Sequence, residues 1–171
     1  MDPATYTDTK SPTVGLVMLF IMSAISAKEG REIATLDIGN AFVKADMKGE
    51  EEVLVALDKL STAILIKIDS SYEKFVNRNG EIVVKLNKAL YGCVQSARLW
   101  FDTLTTELRS YGYVHNSHDP CVMNKTVDGK QSTLLIHVDD IKILSQIKGE
   151  VKMLYDSLLK KFEKVNYHDG L

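Results

Sequence analysis

Cysteine is scarce in this chain: Cys93 and Cys121 are the two in 171 residues, far apart and in no C-x-x-C pair. That excludes a disulfide-stapled scaffold and suits a reducing compartment. No proline- or glycine-rich stretch divides the sequence, and no internal repeat or low-complexity tract interrupts it. One domain over residues 1–171 is therefore expected. The apolar stretch 14–27 falls short of the ~20 residues that cross a bilayer. The opening MDPATYTDTKSP has neither the basic start nor the apolar core of a secretion signal. An excess of positive charge is missing as well. Lys and Arg number 21 against 23 Asp and Glu, a formal net charge of −2, whereas phosphate neutralisation supplies much of the affinity of a self-sufficient nucleic-acid binder. These absences lead to the expectation of a soluble, intracellular protein with no membrane partner and little capacity to grip nucleic acid alone.

What is present begins with enough apolar residues, 45% of the chain, to fill a core. Ser11 and Pro12 read as a cap and a first helical residue, opening a helix that runs to about Lys28, stops at Gly30 and, apolar nearly all round, should be buried. Glu32–Ile38 (EIATLDI) reads as a strand broken by Gly39-Asn40, followed by a short helix at 41–46. A strand at 52–57 follows, with Asp58 capping a helix toward Phe75. Asn79-Gly80 is a hairpin-type turn signal ahead of a strand at 81–86. Leu99, Trp100, Leu104, Leu108 and Tyr111 recur at helical spacing over 95–111, which Gly112 ends. Strands at 121–126 and 132–138 are joined by the turn 127–130. Asp139-Asp140 comes next, an apolar run resumes at 141–144, and a last amphipathic helix fills 149–162. Helices interleaved with antiparallel strands make an α+β chain.

The run LLIHV-DD-IKIL puts two adjacent carboxylates between two strand-like segments. The plain reading is a polar hairpin turn, since Asp favours turns. The metal reading starts from like-charge repulsion, which a divalent cation between the carboxylates relieves. Asp37 shifts the balance, because IATLDI spends a charge on a strand whose neighbours are apolar, and charges are rarely buried unless paired or metal-bound. One carboxylate at a strand end and two on a distant hairpin suit a pair of magnesium ions about 3.5–4 Å apart in phosphoryl transfer. His115, His118 and Cys121 have ligand-like spacing, but a structural zinc site needs four ligands and no fourth is nearby. Lys160, Lys161 and Lys164 are interrupted by Glu163 and read as a solvated helix face.

Three stretches together carry a resemblance: TLDIGNAFVKADM, VKLNKALYGCVQSARLWFDTL, and DPCVMNK followed by LLIHVDDIKIL. In that order they resemble the copia-type retrotransposon reverse transcriptases over nearly the whole chain. The resemblance implies a polymerase palm-type antiparallel sheet packed against helices, with partial fingers. It implies an RNA-directed DNA polymerase core that transfers nucleotides to a primer 3′-hydroxyl by a two-metal mechanism using Mg2+, with Mn2+ as a substitute. Asp37 and Asp139 would hold the metals and Asp140 would complete the set. Phe42 would lie beneath the incoming sugar and exclude a 2′-hydroxyl. Tyr91 and Gly92 would sit near nucleotide and template, with Gln95 and Arg98 at the start of the next helix and Arg98 facing phosphate. Partners would be template–primer, deoxynucleoside triphosphates and the rest of a polyprotein: fingers, thumb and RNase H. The chain is expected to be truncated at both ends, lacking upstream basic finger residues and stopping near the primer-grip strand. His137 stands where the family motif has tyrosine, Val94 for a lysine, Ala97 for a proline, and Lys142 for an apolar residue. These departures and the truncation motivate an alternative: a remnant or repurposed palm fold without polymerase activity.

Overall fold

A computed structural model describes residues 11–47 and 52–170 of the chain. Its body is a six-stranded sheet in the order β4-β5-β6-β7-β1-β8, with every neighbouring pair antiparallel. The strands are β1 (Glu32–Ile38), β4 (Val114–His115), β5 (Val122–Val127), β6 (Lys130–His137), β7 (Asp140–Ser145) and β8 (Val165–Asp169). Alternation along β1 buries Ala34, Leu36 and Ile38 on one face and leaves Thr35 and Asp37 half-buried on the other, as the two-residue period of a strand requires. The buried face packs on α4 (Ser96–Ser110) and α5 (Glu150–Phe162) through Trp100, Leu104, Leu108, Leu154, Leu158 and Phe162. Burying each large apolar side chain there contributes about 1.5–3 kcal/mol.

The opposite face is covered only in part. α1 (Leu16–Glu29) lays Met22 on Val122, Leu135 and Leu144, with Met18, Leu19 and Ile25 packed beside them. Leu16, Val17, Phe20 and Ile21 on its outer side stay exposed. The expectation of a buried α1 is thus half right: only the side on the sheet finds a partner. The helix also starts later than its Ser-Pro signal. Val14 N–H donates to the Ile136 carbonyl (3.0 Å) and Gly15 N–H to Asp119 (3.3 Å), which holds the chain extended until Leu16. Among the described residues no helix is long and apolar enough to cross a membrane.

Between β1 and α4 the chain forms a short helix, α2 (Ala41–Lys44), and then leaves the sheet as an arm. The arm pairs β2 (Leu54–Leu57) with β3 (Ile82–Lys85) around α3 (Lys59–Ile68) and a 3₁₀ turn at Ser70–Phe75. Asp58 caps α3 as expected, its carboxylate accepting from Ser61 N–H at 2.7 Å. The helix does not continue to Phe75, because the Asp69 side chain accepts from Ser71 N–H (2.9 Å) and restarts the chain as the 3₁₀ turn. Asn79-Gly80 turns the chain but makes no hairpin, since β3 pairs with β2 across α3. Ala45 and Ala89, both fully buried, close the stem through a 3.0 Å backbone hydrogen bond.

Candidate active site

Asp37 is the last outward-facing residue of β1, and the register puts it directly opposite Asp140 on β7 and Asn166 on β8. Asn166 Nδ2 donates to Asp37 Oδ2 at 2.8 Å. The β6–β7 hairpin closes through Val138 and Asp139 alone, with His137 opposite Asp140. Ile38 N–H donates to the Asp139 carbonyl at 3.1 Å, tying the turn to the end of β1. Asp37, Asp139 and Asp140 thus meet at one end of three adjacent strands. α1 covers this face only as far as Leu135 and Leu144, and Lys142 lies between Leu144 and Asp140 on the strand.

Val138 has φ 58°. A positive φ at the first central residue of a two-residue hairpin, with none at the second, is the pattern of a type II′ turn, where glycine is the usual occupant. For a β-branched residue this conformation is an outlier costing on the order of 1–3 kcal/mol. The Val138 carbonyl accepts a hydrogen bond from Trp100 Nε1 at 2.8 Å.

Burial first, and then the like charges of Asp139 and Asp37, push the Asp140 carboxyl above its ordinary value, while the His137 and His168 imidazoles pull it down. Asp140 as a residue stays exposed, so solvent screening keeps the effect modest. Carboxylate oxygens are the donors that Mg2+ prefers, and a cation relieves such crowding. The donor chemistry therefore fits a hard divalent ion. The side-chain orientations are not those of a finished ligand set: among the described residues no three His, Cys, Asp or Glu side chains are gathered closely enough to hold a metal. Two of the three residues with zinc-like spacing have other surroundings. His115 Nδ1 lies 2.7 Å from the Pro120 carbonyl, and Cys121 is fully buried, its thiol pushed up to about 12 by burial and then by Asp119.

Phe42 on α2 and Tyr91 ahead of α4 form a second group, their rings 4.5 Å apart and tilted 48°. Phe42 is half-buried against the core and Tyr91 is exposed. Gly92 has φ 93° and open space where a Cβ would stand, so its backbone conformation rather than crowding asks for glycine. The loop is pinned by Ser96, whose buried hydroxyl accepts from Leu90 N–H (3.1 Å) and donates to the Leu90 carbonyl (2.7 Å). Gln95 is the residue before α4 and makes no side-chain cap. Arg98 is paired with Asp102, Nε lying 3.0 and 3.1 Å from its two oxygens. A phosphate would have to compete with that pair.

A cleft of about 840 Å³ lies elsewhere, and none of the three aspartates lines it. Its charges are paired across the walls, Lys44 with Glu163 (2.8 Å) and Lys161 with Glu107 (3.1 Å), which leaves little there to attract a charged ligand.

A family model described as reverse transcriptase (RNA-dependent DNA polymerase) matches residues 2–169. The chain belongs to the reverse transcriptase family. Its relatives place it among the copia-type members. It is 30% identical over 154 residues, 90% of its length, to the retrovirus-related Pol polyprotein from transposon TNT 1-94 of Nicotiana tabacum. It is 25% identical over 165 residues (96% of the chain) to that from transposon RE2 of Arabidopsis thaliana. To the RE1 polyprotein of the same plant it is 24% identical over 172 residues (97%). These matches cover 10%, 10% and 11% of the polyproteins, so this reverse transcriptase region spans about a tenth of the relatives' length.

Around the three aspartates, sequence reasoning missed β8 and therefore Asn166, the partner of Asp37. The signal was short but present: in VNYHD, Val165 and Tyr167 alternate with Asn166 and His168. Helical spacing also marked Trp100 as a core position without revealing its second role. Trp100 is core, fully buried, but its N–H serves the aspartate turn.

Proposed function

We propose that this chain is the palm-centred core of an RNA-directed DNA polymerase, extending a primer 3′-hydroxyl with deoxynucleotides on a template, and working as one domain within a longer polyprotein. The observation that carries the reading is the meeting of Asp37 with Asp140 in the β1–β7 register, beside the Asp139 turn. Asp37 and Asp139 would hold Mg2+, or Mn2+ in its place, and Asp140 would complete the set. Two such ions, when bound, supply activation of the attacking hydroxyl and stabilisation of the leaving oxygen. The chain's own residues do the rest. Asn166 fixes one oxygen of Asp37, so the other remains for a ligand. The Phe42–Tyr91 pair offers an apolar surface suited to a sugar and base. Gly92 leaves open space beside the loop. Gln95 and Arg98, at the start of α4, would meet template or phosphate once Arg98 exchanges Asp102 for it. Fingers, thumb and RNase H segments elsewhere in the polyprotein would supply the remaining grip on template–primer. That division of labour accounts for a net charge of −2.

The second reading, a remnant without activity, draws on one observation: the three carboxylates are not gathered into a finished metal-ligand group. Primer extension by the purified chain on an RNA template, with magnesium and deoxynucleotides and beside an Asp139→Asn control, separates the two. Extension that the control abolishes supports the polymerase. No extension, with no Mg2+ or Mn2+ binding at the aspartates, overturns it in favour of the remnant.

A further inference from the structure

Trp100 is the chain's one tryptophan, fully buried, with its ring edge-on to Phe162 at 5.3 Å between centroids. Packing asks only for a large apolar ring at this position. The indole adds an N–H, and that N–H finds the carbonyl of Val138, the residue held at φ 58°. A valine does not rest in the left-handed region by preference, so the turn persists only where its surroundings hold it. Two restraints come from the strands: the His137–Asp140 register and the Ile38 N–H bond to the Asp139 carbonyl. Trp100 supplies a third, from α4 behind the sheet. Ser96, one helical turn earlier on α4, holds the Leu90 backbone ahead of Tyr91. One face of α4 therefore fixes both the Tyr91 loop and the aspartate turn at a set spacing.

We propose that Trp100 is a positioning residue, whose indole N–H holds the strained Val138–Asp139 turn, and with it the Asp139 carboxylate, in one orientation. Its catalytic sense rests on the polymerase reading; its structural sense does not. Trp100→Phe removes the N–H while keeping a smaller aromatic ring in the core, and so frees the turn. Val138→Gly removes the strain, because glycine occupies positive φ without penalty, so in that background the indole is no longer needed.

The test is amide hydrogen exchange in the intact chain for the parent, Trp100→Phe, and Trp100→Phe with Val138→Gly. Ile38, whose N–H is bonded to the Asp139 carbonyl, reports on the turn. Gln146, bonded to the Gln131 carbonyl at the far end of the β6–β7 hairpin, is the control. Trp100→Phe is expected to speed exchange at Ile38 about tenfold, the loss of one buried hydrogen bond, with Gln146 unchanged and the double variant restored. An unchanged Ile38, an equal rise at Gln146, or a double variant no slower than the single overturns the proposal. If Trp100→Phe does not fold, the parent's single indole N–H signal decides: protection matching that of Ile38 supports the proposal, and fast exchange overturns it. In primer extension the same series should show kcat falling about tenfold with KM for the nucleotide within about twofold, and recovering in the double variant. A parent that extends nothing sinks the polymerase reading, while the exchange series still decides whether Trp100 holds the turn.

Discussion

In the six-stranded body, strand residues such as Leu36, Leu134 and Ile141 are fully buried between the sheet and α4–α5. In the arm of β2, α3 and β3, Thr62 and Ile82 are the buried residues among those described at 52–87. Leu60, Ile64 and Ile68, spaced four apart on α3, are 70%, 50% and 78% exposed. Both regions have apolar periodicity, yet only the body turns it into burial, because α4 and α5 pack over one face of its sheet whereas the arm has α3 alone beside two short strands. The aspartates sit on the region that holds itself together. Their placement is therefore expected to be indifferent to what happens in the arm.

The sharpest way to break that comparison is chemical. Asp139→Asn is expected to lower primer extension by about a thousandfold or more, as removal of a preorganised electrostatic group does, with the circular dichroism melt unchanged. Ile64→Ala in the arm should leave extension within about twofold, since exposed positions away from special features shift little. Equal losses in the two variants would mean that the arm is part of the site. Next comes stability. Leu36→Ala should cost about 2–5 kcal/mol through the cavity it leaves, and Leu60→Ala less than about 0.5 kcal/mol, both read from urea unfolding. A large cost at Leu60 would reveal a cover for the α3 stripe that the described residues do not contain.

The same contrast explains what could be read from the sequence. Strands and helices of the body were legible because their periodicities answer to a real core: EIATLDI alternates as β1 does, and 95–111 repeats as α4 does. The turn at Asp128-Gly129 was legible from its residues, both held at positive φ. α1 misled, since an apolar circumference signals burial only if something covers both sides. The three aspartates could be named from their motifs, but their meeting is a matter of register. Asn166, Ser96 and the Trp100 N–H act through individual side-chain hydrogen bonds, one each for Asn166 and Trp100 and two for Ser96, that leave no period in the sequence. β4, at two residues, is too short for periodicity to announce.

Local opening should rank the regions in the same order. The Leu86 amide, bonded to the Val53 carbonyl at 2.9 Å in the arm, is expected to exchange at least about tenfold faster than Ile38 in the body, because little apolar surface protects it. Matching rates would mean that arm and body open as one unit, and the distinction between them would fall.

The smallest expected difference concerns ion pairs. Glu107 joins α4 to α5, accepting from the Tyr111 hydroxyl (2.5 Å) and pairing with Lys161 (3.1 Å). Burial works against its charge, but the Tyr111 hydrogen bond and the Lys161 ammonium outweigh that and hold its pKa below the ordinary 4.5. A carboxylate with a depressed folded-state pKa contributes stability that is present above the unfolded value and lost as pH falls through the folded one. Glu107→Gln should therefore cost about 1 kcal/mol at pH 7, and the difference from the parent should fade as the medium is acidified well below 4.5. In the arm, Lys85 and Glu52 pair at 2.5 Å with both side chains more than half exposed. Water screens that pair and both side chains lose freedom in making it, so Glu52→Gln should leave the urea midpoint unchanged at either pH. A Glu107 effect as large in acid as at neutrality would locate its contribution in packing rather than charge. A measurable loss at Glu52 would mean that the arm is more tightly built than its exposed α3 stripe implies.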